Sequence, residues 1–269
     1  MSNSVYFVTG SMGFIGAWTL YHLVKQGKTA VSYDLSERRD RVNLLLTPEE
    51  QAAIRFVTGD LTNTEHVIQM LTEHKVTHII HLGALQVPLV RANPIVGAQV
   101  NVVGTANLLD GAKRLGIPHI VYASSIAVYG AVDKYPPGLI QPDAPLDPHT
   151  LYGVYKQANE LAARVYWEEY KLTSTALRPY TVYGVGRDQG LTSEPTKAML
   201  AVAAGQAVPP DLWRRVPVPT GVGCGAAVHR RGGKAAWRRL CVQSRRRADA
   251  YARNCGLDQA GPPSRRGDV

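Results

Sequence analysis

The chain has 269 residues, 45% of them apolar and 19% charged, with a net charge of +9 at pH 7. Those proportions describe a soluble globular protein, and no apolar run is long enough to cross a bilayer. With a first strand starting at Val5 there is no room for a signal peptide, so the expected compartment is cytoplasmic.

The charge is not evenly spread. Residues 208–269 hold 13 of the 30 Lys+Arg and four of the 21 Asp+Glu, leaving 17 of each sign in 1–207. The first 207 residues are neutral, and the whole excess belongs to the tail. All three cysteines, Cys224, Cys241 and Cys255, also lie there, without metal-ligand spacing, and no metal site is expected.

Val5 to Val8 is a short apolar run, followed by Thr9-Gly10-Ser11-Met12-Gly13-Phe14-Ile15-Gly16 and an amphipathic stretch to Gln26. This reads as a buried strand, a glycine turn and a helix. Glycines at spacing three and three allow a tight turn, close approach to a pyrophosphate, and close packing of helix on sheet. The helix N-terminus offers N–H groups and a positive dipole end to the phosphates. Taken alone, the trio also suits an ordinary strand–turn–helix. Thr29 to Asp34 reads as the next strand and ends in a carboxylate 18 residues beyond Gly16, where a dinucleotide fold puts its ribose-binding acid. A carboxylate there repels a 2′-phosphate and favours NAD over NADP, although Arg38 and Arg39 follow closely.

Ile54 to Val57 is a third strand, closing on Gly59-Asp60-Leu61, and Asp60 could meet the adenine amino group. Thr64 to His74 reads as a helix with Thr as its cap. His78 to Ala84 is a fourth strand, in which Gly83 and Ala84 would let a cofactor lie against the backbone. Ala98 to Leu115 is helical in pattern and carries Asn101. His119 to Ala123 is a fifth strand ending in Ser124-Ser125, Leu151 to Tyr170 a long helix, and Thr173 to Leu177 a sixth strand closed by Arg178-Pro179. Strands alternating with helices predict an α/β fold, a Rossmann-type doubly wound parallel sheet over 1–207.

Tyr152 and Lys156 lie one helical turn apart, and Ser125 ends the preceding strand, at the edge where such sheets bind ligands. An ammonium near the phenol, with a positive nicotinamide beside it, favours the phenolate as a base. Tyr152 would take the proton of a substrate hydroxyl, Ser125 would hold that hydroxyl, and Lys156 would bind the ribose. An isolated Tyr–Lys pair is more often packing and a solvated charge, and a Ser-Ser pair more often a turn. Convergence of all these positions on one sheet edge favours the catalytic reading.

The run from Val5 to about Ala207 resembles an extended short-chain dehydrogenase/reductase of the NAD-dependent sugar epimerase/dehydratase family. The residues that carry the resemblance are Thr9-Gly10-x-x-Gly13-Phe14-Ile15-Gly16, Asp34, Asp60-Leu61, His81-Leu82-Gly83-Ala84, Asn101 with Gly104-Thr105, Ser124-Ser125 with Val128-Tyr129-Gly130, Tyr152-x-x-x-Lys156, and Arg178 to Gly184. The resemblance implies that Ser125, Tyr152 and Lys156 are catalytic. It implies an NAD site made by Gly10, Met12, Gly13, Phe14, Ile15, Gly16, Asp34, Asp60, Leu61, Leu82, Gly83, Ala84, Asn101, Tyr152, Lys156 and Pro179. Asn101 would brace the central strands, and Ser124, Ser125, Thr181 and Arg187 would meet the substrate. His81 could be no more than a satisfied residue at a strand end.

Dehydratases of that family carry an Asp-Glu pair after the catalytic Ser or Thr, where this chain has Ile126-Ala127. Thr181-Val182-Tyr183-Gly184, followed by Gly186-Arg187, looks more like the uronate-type nucleotide-sugar epimerases. Rivals are a sugar dehydrogenase that releases keto product and NADH, and a dinucleotide-binding scaffold whose basic tail recruits an acidic partner. The resemblance also implies a homodimer through helices such as 98–115 and 151–170.

In the family, the segment after Gly205-Gln206 completes the sheet and builds the substrate domain. Residues 208–269 instead show no helical or strand periodicity, and have no Ile, Phe, Met or Glu. A basic arm for nucleic acid is one reading. The preferred one is an aberrant, frameshifted segment. Codons can be chosen for Asp211–Arg230 and Cys241–Cys255 that, read one nucleotide later, spell a glycine hairpin with a Val-x-Asp-Val-Ala helix start and an Asn-Leu-Gly-Gly strand end. The expectation is an intact cofactor half beside a compromised sugar pocket, in a product prone to aggregate.

Overall fold

The computed structural model describes residues 4–190 and 193–205, together with the backbone at 240–241. Among the described residues, seven strands form one parallel sheet in the order β3-β2-β1-β4-β5-β6-β7. In chain order, β1 (Val5–Thr9) leads to α1 (Phe14–Lys25) and β2 (Thr29–Asp34). Two one-turn helices, α2 (Asp40–Asn43) and α3 (Pro48–Gln51), precede β3 (Ile54–Thr58). Then come α4 (Thr64–Glu73), β4 (His78–His81), α5 (Val87–Ala92) and α6 (Pro94–Ala98). A π-turn over Gln99–Val103 joins α6 to α7 (Gly104–Arg114), and β5 (His119–Ala123) follows. Helix α8 (Leu151–Tyr170), β6 (Thr173–Arg178), α9 (Glu194–Ala203) and β7 (Leu240–Cys241) complete the order.

The central strands β1, β2, β4 and β5 are buried on both faces, as parallel strands are. Phe7, Val31, Ile79 and Ile120 pack with Leu71, Leu108 and Leu109 of α4 and α7. The alternate residues Tyr6, Val8, Ala30, Ile80 and Val121 pack with Leu20 and Leu23 of α1 on the other face. Strand order reverses at β1, which pairs with β2 on one side and β4 on the other. The crevice beyond the carboxyl ends of β1 and β4 is therefore where such a sheet receives a ligand.

Several expected boundaries move. Strand β4 stops at His81, because Gly83 leaves the ladder to pack against Gly10; a Cβ built on Gly10 would lie 2.5 Å from the Gly83 nitrogen. The cap of α4 is Asn63, whose side chain accepts the His66 amide at 3.0 Å, while the Thr64 hydroxyl donates to Asn107 at 2.9 Å. The stretch expected as a helix over 98–115 is helical to Arg114, with a π-turn at Gln99–Val103 that holds Asn101. Helix α8 spans the residues expected and is capped by the Thr150 hydroxyl on the Gly153 amide at 3.0 Å. In the tail, β7 pairs Leu240 with Leu177 and Cys241 with Arg178, a strand that the aperiodic sequence does not announce. The other expectations for 208–269, the frameshift and the missing sugar lobe among them, lie outside the described residues. Among those residues no helix is long and apolar enough to cross a membrane.

Candidate active site

Gly10 turns at φ +64, a conformation that costs a non-glycine residue about 1–2 kcal/mol. A Cβ on Gly16 would stand 2.2 Å from the Gly10 carbonyl oxygen, so the close helix–turn contact needs glycine there too. Gly13 is the N-cap of α1, with no side-chain cap and no acidic residue in the first turn. The dipole end of α1 therefore faces the crevice with no carboxylate of its own helix, as a phosphate site requires. Phe14 and Ile15 pack beneath against Trp18 and Val182. Asp34, at the end of β2, accepts the Met12 amide at 2.9 Å and the Ser36 amide at 3.0 Å. That holds its carboxylate at the rim of the turn. Asp60 accepts the Thr62 amide at 2.8 Å on the exposed side of the same edge.

Across the crevice, the Thr9 hydroxyl receives the Leu82 and Gly83 amides, each at 3.2 Å, which ties the end of β4 to that of β1. A Cβ on Gly83 would meet Leu61 at 2.7 Å, and Ala84 continues this half-buried wall. Beneath lies His81, whose ring nitrogens meet the Thr9 and Thr105 hydroxyls at 2.7 and 3.0 Å. Burial, with Lys156 adding to it, lowers its pKa to about 3, so it is a neutral structural residue. The Asn101 amide is bonded to the Leu85 backbone at 2.7 and 2.9 Å, and the residue is 1% exposed, so it braces the loop after β4.

Ser125, Tyr152 and Lys156 do come together. Ser125 follows β5, its hydroxyl accepts the Ala127 amide at 3.1 Å, and it acts to lower the pKa of the Tyr152 phenol. Gly153 makes this juxtaposition possible: a Cβ there would lie 2.1 Å from the Ala127 carbonyl oxygen, so only glycine lets α8 start against the 126–128 turn. The Lys156 ammonium sits 5.7 Å from the Tyr152 ring centroid and donates to the Ala123 carbonyl at 2.6 Å. Burial lowers its pKa to about 8, although the Glu160 carboxylate draws it up.

The electrostatics depart from expectation in one respect. Burial pushes the Tyr152 phenol up, and Ser125 and the charge of Arg187 pull the other way without cancelling it. Lys156 is held on the Ala123 carbonyl, and Arg187 is a second cation that favours the phenolate. Arg187 stands 5.9 Å from the Phe14 ring centroid, at the start of α1. Pro179, whose carbonyl accepts the Ile126 amide at 3.3 Å, and half-buried Thr181 follow β6 on the same edge.

Ser124 is placed elsewhere. Its hydroxyl donates to Glu160 at 2.6 Å and the residue is 1% exposed, so the substrate contact expected of it is not one this geometry supports. Arg178 binds the same carboxylate through Nε and Nη2, at 2.8 and 2.5 Å, and reaches the Tyr129 hydroxyl at 2.5 Å. This buried pair ties α8, β6 and the turn after Ser125 into one floor. Sequence reasoning missed Gly153, Glu160 and Arg41. The first two had signals, a glycine beside the phenol and an acid one turn beyond Lys156.

The profile of the NAD-dependent epimerase/dehydratase family matches residues 6–215. The chain belongs to that family. It is 34% identical over 186 residues to UDP-glucuronate 4-epimerase 4 of Arabidopsis thaliana, covering 66% of this chain and 41% of that protein. To UDP-glucose 4-epimerase of Azospirillum brasilense it is 32% identical over 217 residues, 78% of this chain and 58% of the relative. The chain thus spans about half the length of the curated relatives it matches. Among solved structures, UDP-N-acetylglucosamine 4-epimerase from Methanobrevibacter ruminantium, in complex with UDP-N-acetylmuramic acid, superposes with TM-score 0.73. It is 24% identical, with 85% of this chain and 73% of that one covered. UDP-glucose 4-epimerase of Thermus thermophilus with NAD gives 0.67 at 24% identity, covering 92% and 93%. At that identity the likeness carries the fold alone.

The family's cofactor is NAD, and the residues here fit it. The glycine turn has room only for backbone, α1 presents an uncapped N-terminus, and the acid at the end of β2 is Asp34.

Proposed function

We propose that this chain is the NAD-binding and catalytic half of a nucleotide-sugar 4-epimerase whose sugar carries an acidic group. The observation that carries the reading is the convergence of Ser125, Tyr152 and Lys156 at the carboxyl edge of the sheet, with the Lys156 ammonium 5.7 Å from the Tyr152 ring centroid and Gly153 letting α8 start against the turn after Ser125. NAD, when bound, supplies the acceptor that takes a hydride from the sugar carbon and gives it back. The Lys156 ammonium and the positive charge that bound NAD would bring offset the burial and favour the phenolate, and as that base Tyr152 takes the proton of the sugar hydroxyl as the carbonyl forms and returns it on the way back. Ser125 orients that hydroxyl. Lys156, buried and close to half-charged near pH 8, keeps positive charge below the phenol ring. Arg187 is suited to an anionic substituent, because a guanidinium pairs a carboxylate with two parallel bonds. Ile126 and Ala127, in the turn after Ser125, offer no acid or base, which disfavours dehydration.

The contacts to the nucleotide belong to the part of the chain after 207, whose composition does not suit a substrate lobe, so slow turnover is expected. The test is product analysis with NAD and UDP-glucuronate. Formation of the C4 epimer without accumulated NADH supports the proposal, whereas net NADH with a keto product would make the chain a dehydrogenase. We further propose that two copies pair through α7 and α8. Val154, Leu161 and Val165 share an exposed apolar face of α8, and Val103 is exposed where α7 begins. Sedimentation at micromolar concentration checks this, a monomer being the contrary result.

A further inference from the structure

The loop that carries Arg187 is held in place by a residue far away in the chain. Arg41, on α2, donates through Nη1 to the Met12 carbonyl inside the glycine turn at 3.0 Å. Its Nε donates to the Gly186 carbonyl at 3.0 Å and its Nη2 to the Asp188 carboxylate at 2.6 Å. Trp18 of α1 adds a bond from its indole nitrogen to the Val185 carbonyl at 3.0 Å. Gly186 turns at φ +90, which keeps its carbonyl available to Arg41 in a conformation that side chains rarely adopt. Val182 packs on Phe14, Ile15 and Trp18. Residues 182–188 therefore lie across the start of α1, fastened to the turn at both ends, with Arg187 between the fastenings.

A planar guanidinium suits this work, because its fixed fork reaches three acceptors in different directions at once. Burial and the Arg41 charge disfavour the charge on Arg187, with Asp188 as the offsetting carboxylate. A fold that needed only to tether the loop would not need two cations there. The second, Arg187, is held against the Phe14 ring at the start of α1.

We propose that Arg41 is a positioning residue: by latching residues 184–188 onto the glycine turn it fixes Arg187 against Phe14 at the start of α1, so that dinucleotide turn and sugar anion are read by one connected unit. The part assigned to Arg187 rests on the epimerase reading above, and the latch itself does not.

Two measurements on the full chain test it. The first is amide hydrogen exchange without any ligand. The Gly184 and Arg187 amides, bonded to the Thr196 hydroxyl and the Gly184 carbonyl, are expected to be protected in the parent chain. Exchange there should quicken about tenfold or more in Arg41→Ala and in Arg41→Lys, with peptides from β4 and β5 unchanged. Asp188→Asn, which leaves the glycine turn untouched, should quicken it less. Unchanged exchange at 184–188 in all three variants overturns the latch. The second is calorimetric affinity of the NAD-loaded chain for UDP-glucuronate and for UDP-glucose. Arg41→Ala and Arg187→Ala should each cut the preference for the uronate about tenfold, and the double variant should lose no more than either. Additive losses, or equal losses for both sugars, would reduce Arg41 to a structural role. Should the parent chain bind neither sugar, the epimerase reading fails while the exchange measurement still judges the latch.

Discussion

Replacing Gly10 by alanine tests the cofactor cradle where sterics are tightest, and the fold supplies its own control. Gly10 and Gly27 share φ +64, but a Cβ on Gly27 meets nothing within 4 Å. On Gly10 the same atom would lie 2.5 and 2.6 Å from the nitrogen and Cα of Gly83, both of them backbone. Gly27→Ala therefore isolates the cost of the left-handed conformation, about 1–2 kcal/mol, reduced slightly by the stiffer unfolded chain. Gly10→Ala adds the cost of pushing the end of β1 away from that of β4, about 1–3 kcal/mol for an overpacked core site. The difference between the two variants in urea unfolding should thus be about 1–3 kcal/mol, at unchanged m-value. A calorimetric titration with NAD should show Gly27→Ala binding like the parent chain and Gly10→Ala weakened by about tenfold or more, because the displaced turn is the phosphate site. Equal destabilisation by the two substitutions, or normal NAD affinity in Gly10→Ala, would refute the close approach on which the cradle depends.

Three further outcomes follow from buried charge. Lys156 has its pKa lowered to about 8, so at neutral pH folding must hold an ammonium away from water; its contribution becomes more favourable as pH rises from 8 towards 10.5. Lys156→Met should accordingly raise stability at pH 7, by at most about 3 kcal/mol since Ala123 loses a donor, and flatten the rise above pH 8 in a pH series of melts. His81 is kept neutral, with its pKa near 3, and burial also lowers those of His78 and His119. The histidine contribution to stability should then be complete above pH 6.5 and be lost as pH drops towards 3, with His81→Gln removing a component on the order of 4 kcal/mol from that loss. Glu160→Ala strands Arg178, 2% exposed, without its carboxylate, and should cost about 3–5 kcal/mol in urea unfolding.

Where one local signal decides an element, the sequence was readable. β1, the glycine turn and β2 ending at Asp34 needed only an apolar run, a glycine spacing and a terminal acid. Helix α8 was readable to the residue because Thr150 caps it and its pattern runs unbroken to Tyr170. Where two signals compete, tertiary contacts choose. Asn63 and Thr64 are both good caps, and Thr64 is drawn off by Asn107. The apolar Leu82 and Ala84 argue for a longer β4, but Gly83 is needed against Gly10. Helices α5 and α6 each begin with a proline in the first turn, which reads as loop until its position is known. The juxtaposition of Ser125, Tyr152 and Lys156 was legible because helical spacing places Tyr152 and Lys156 together and strand order delivers Ser125. The floor and the latch were not. Glu160 and Arg178 meet across two elements, and the Gly186 and Asp188 acceptors of Arg41 lie some 145 residues further on.

The most direct trial of the account compares the parent chain with Tyr152→Phe, both first shown by titration to be loaded with NAD, in conversion of UDP-glucuronate to its C4 epimer. Loss of the proton acceptor at unchanged NAD affinity should slow turnover about 10²- to 10⁴-fold. Turnover equal to that of the parent, or a parent chain that ignores NAD altogether, would contradict the placement of the phenol at the reacting carbon.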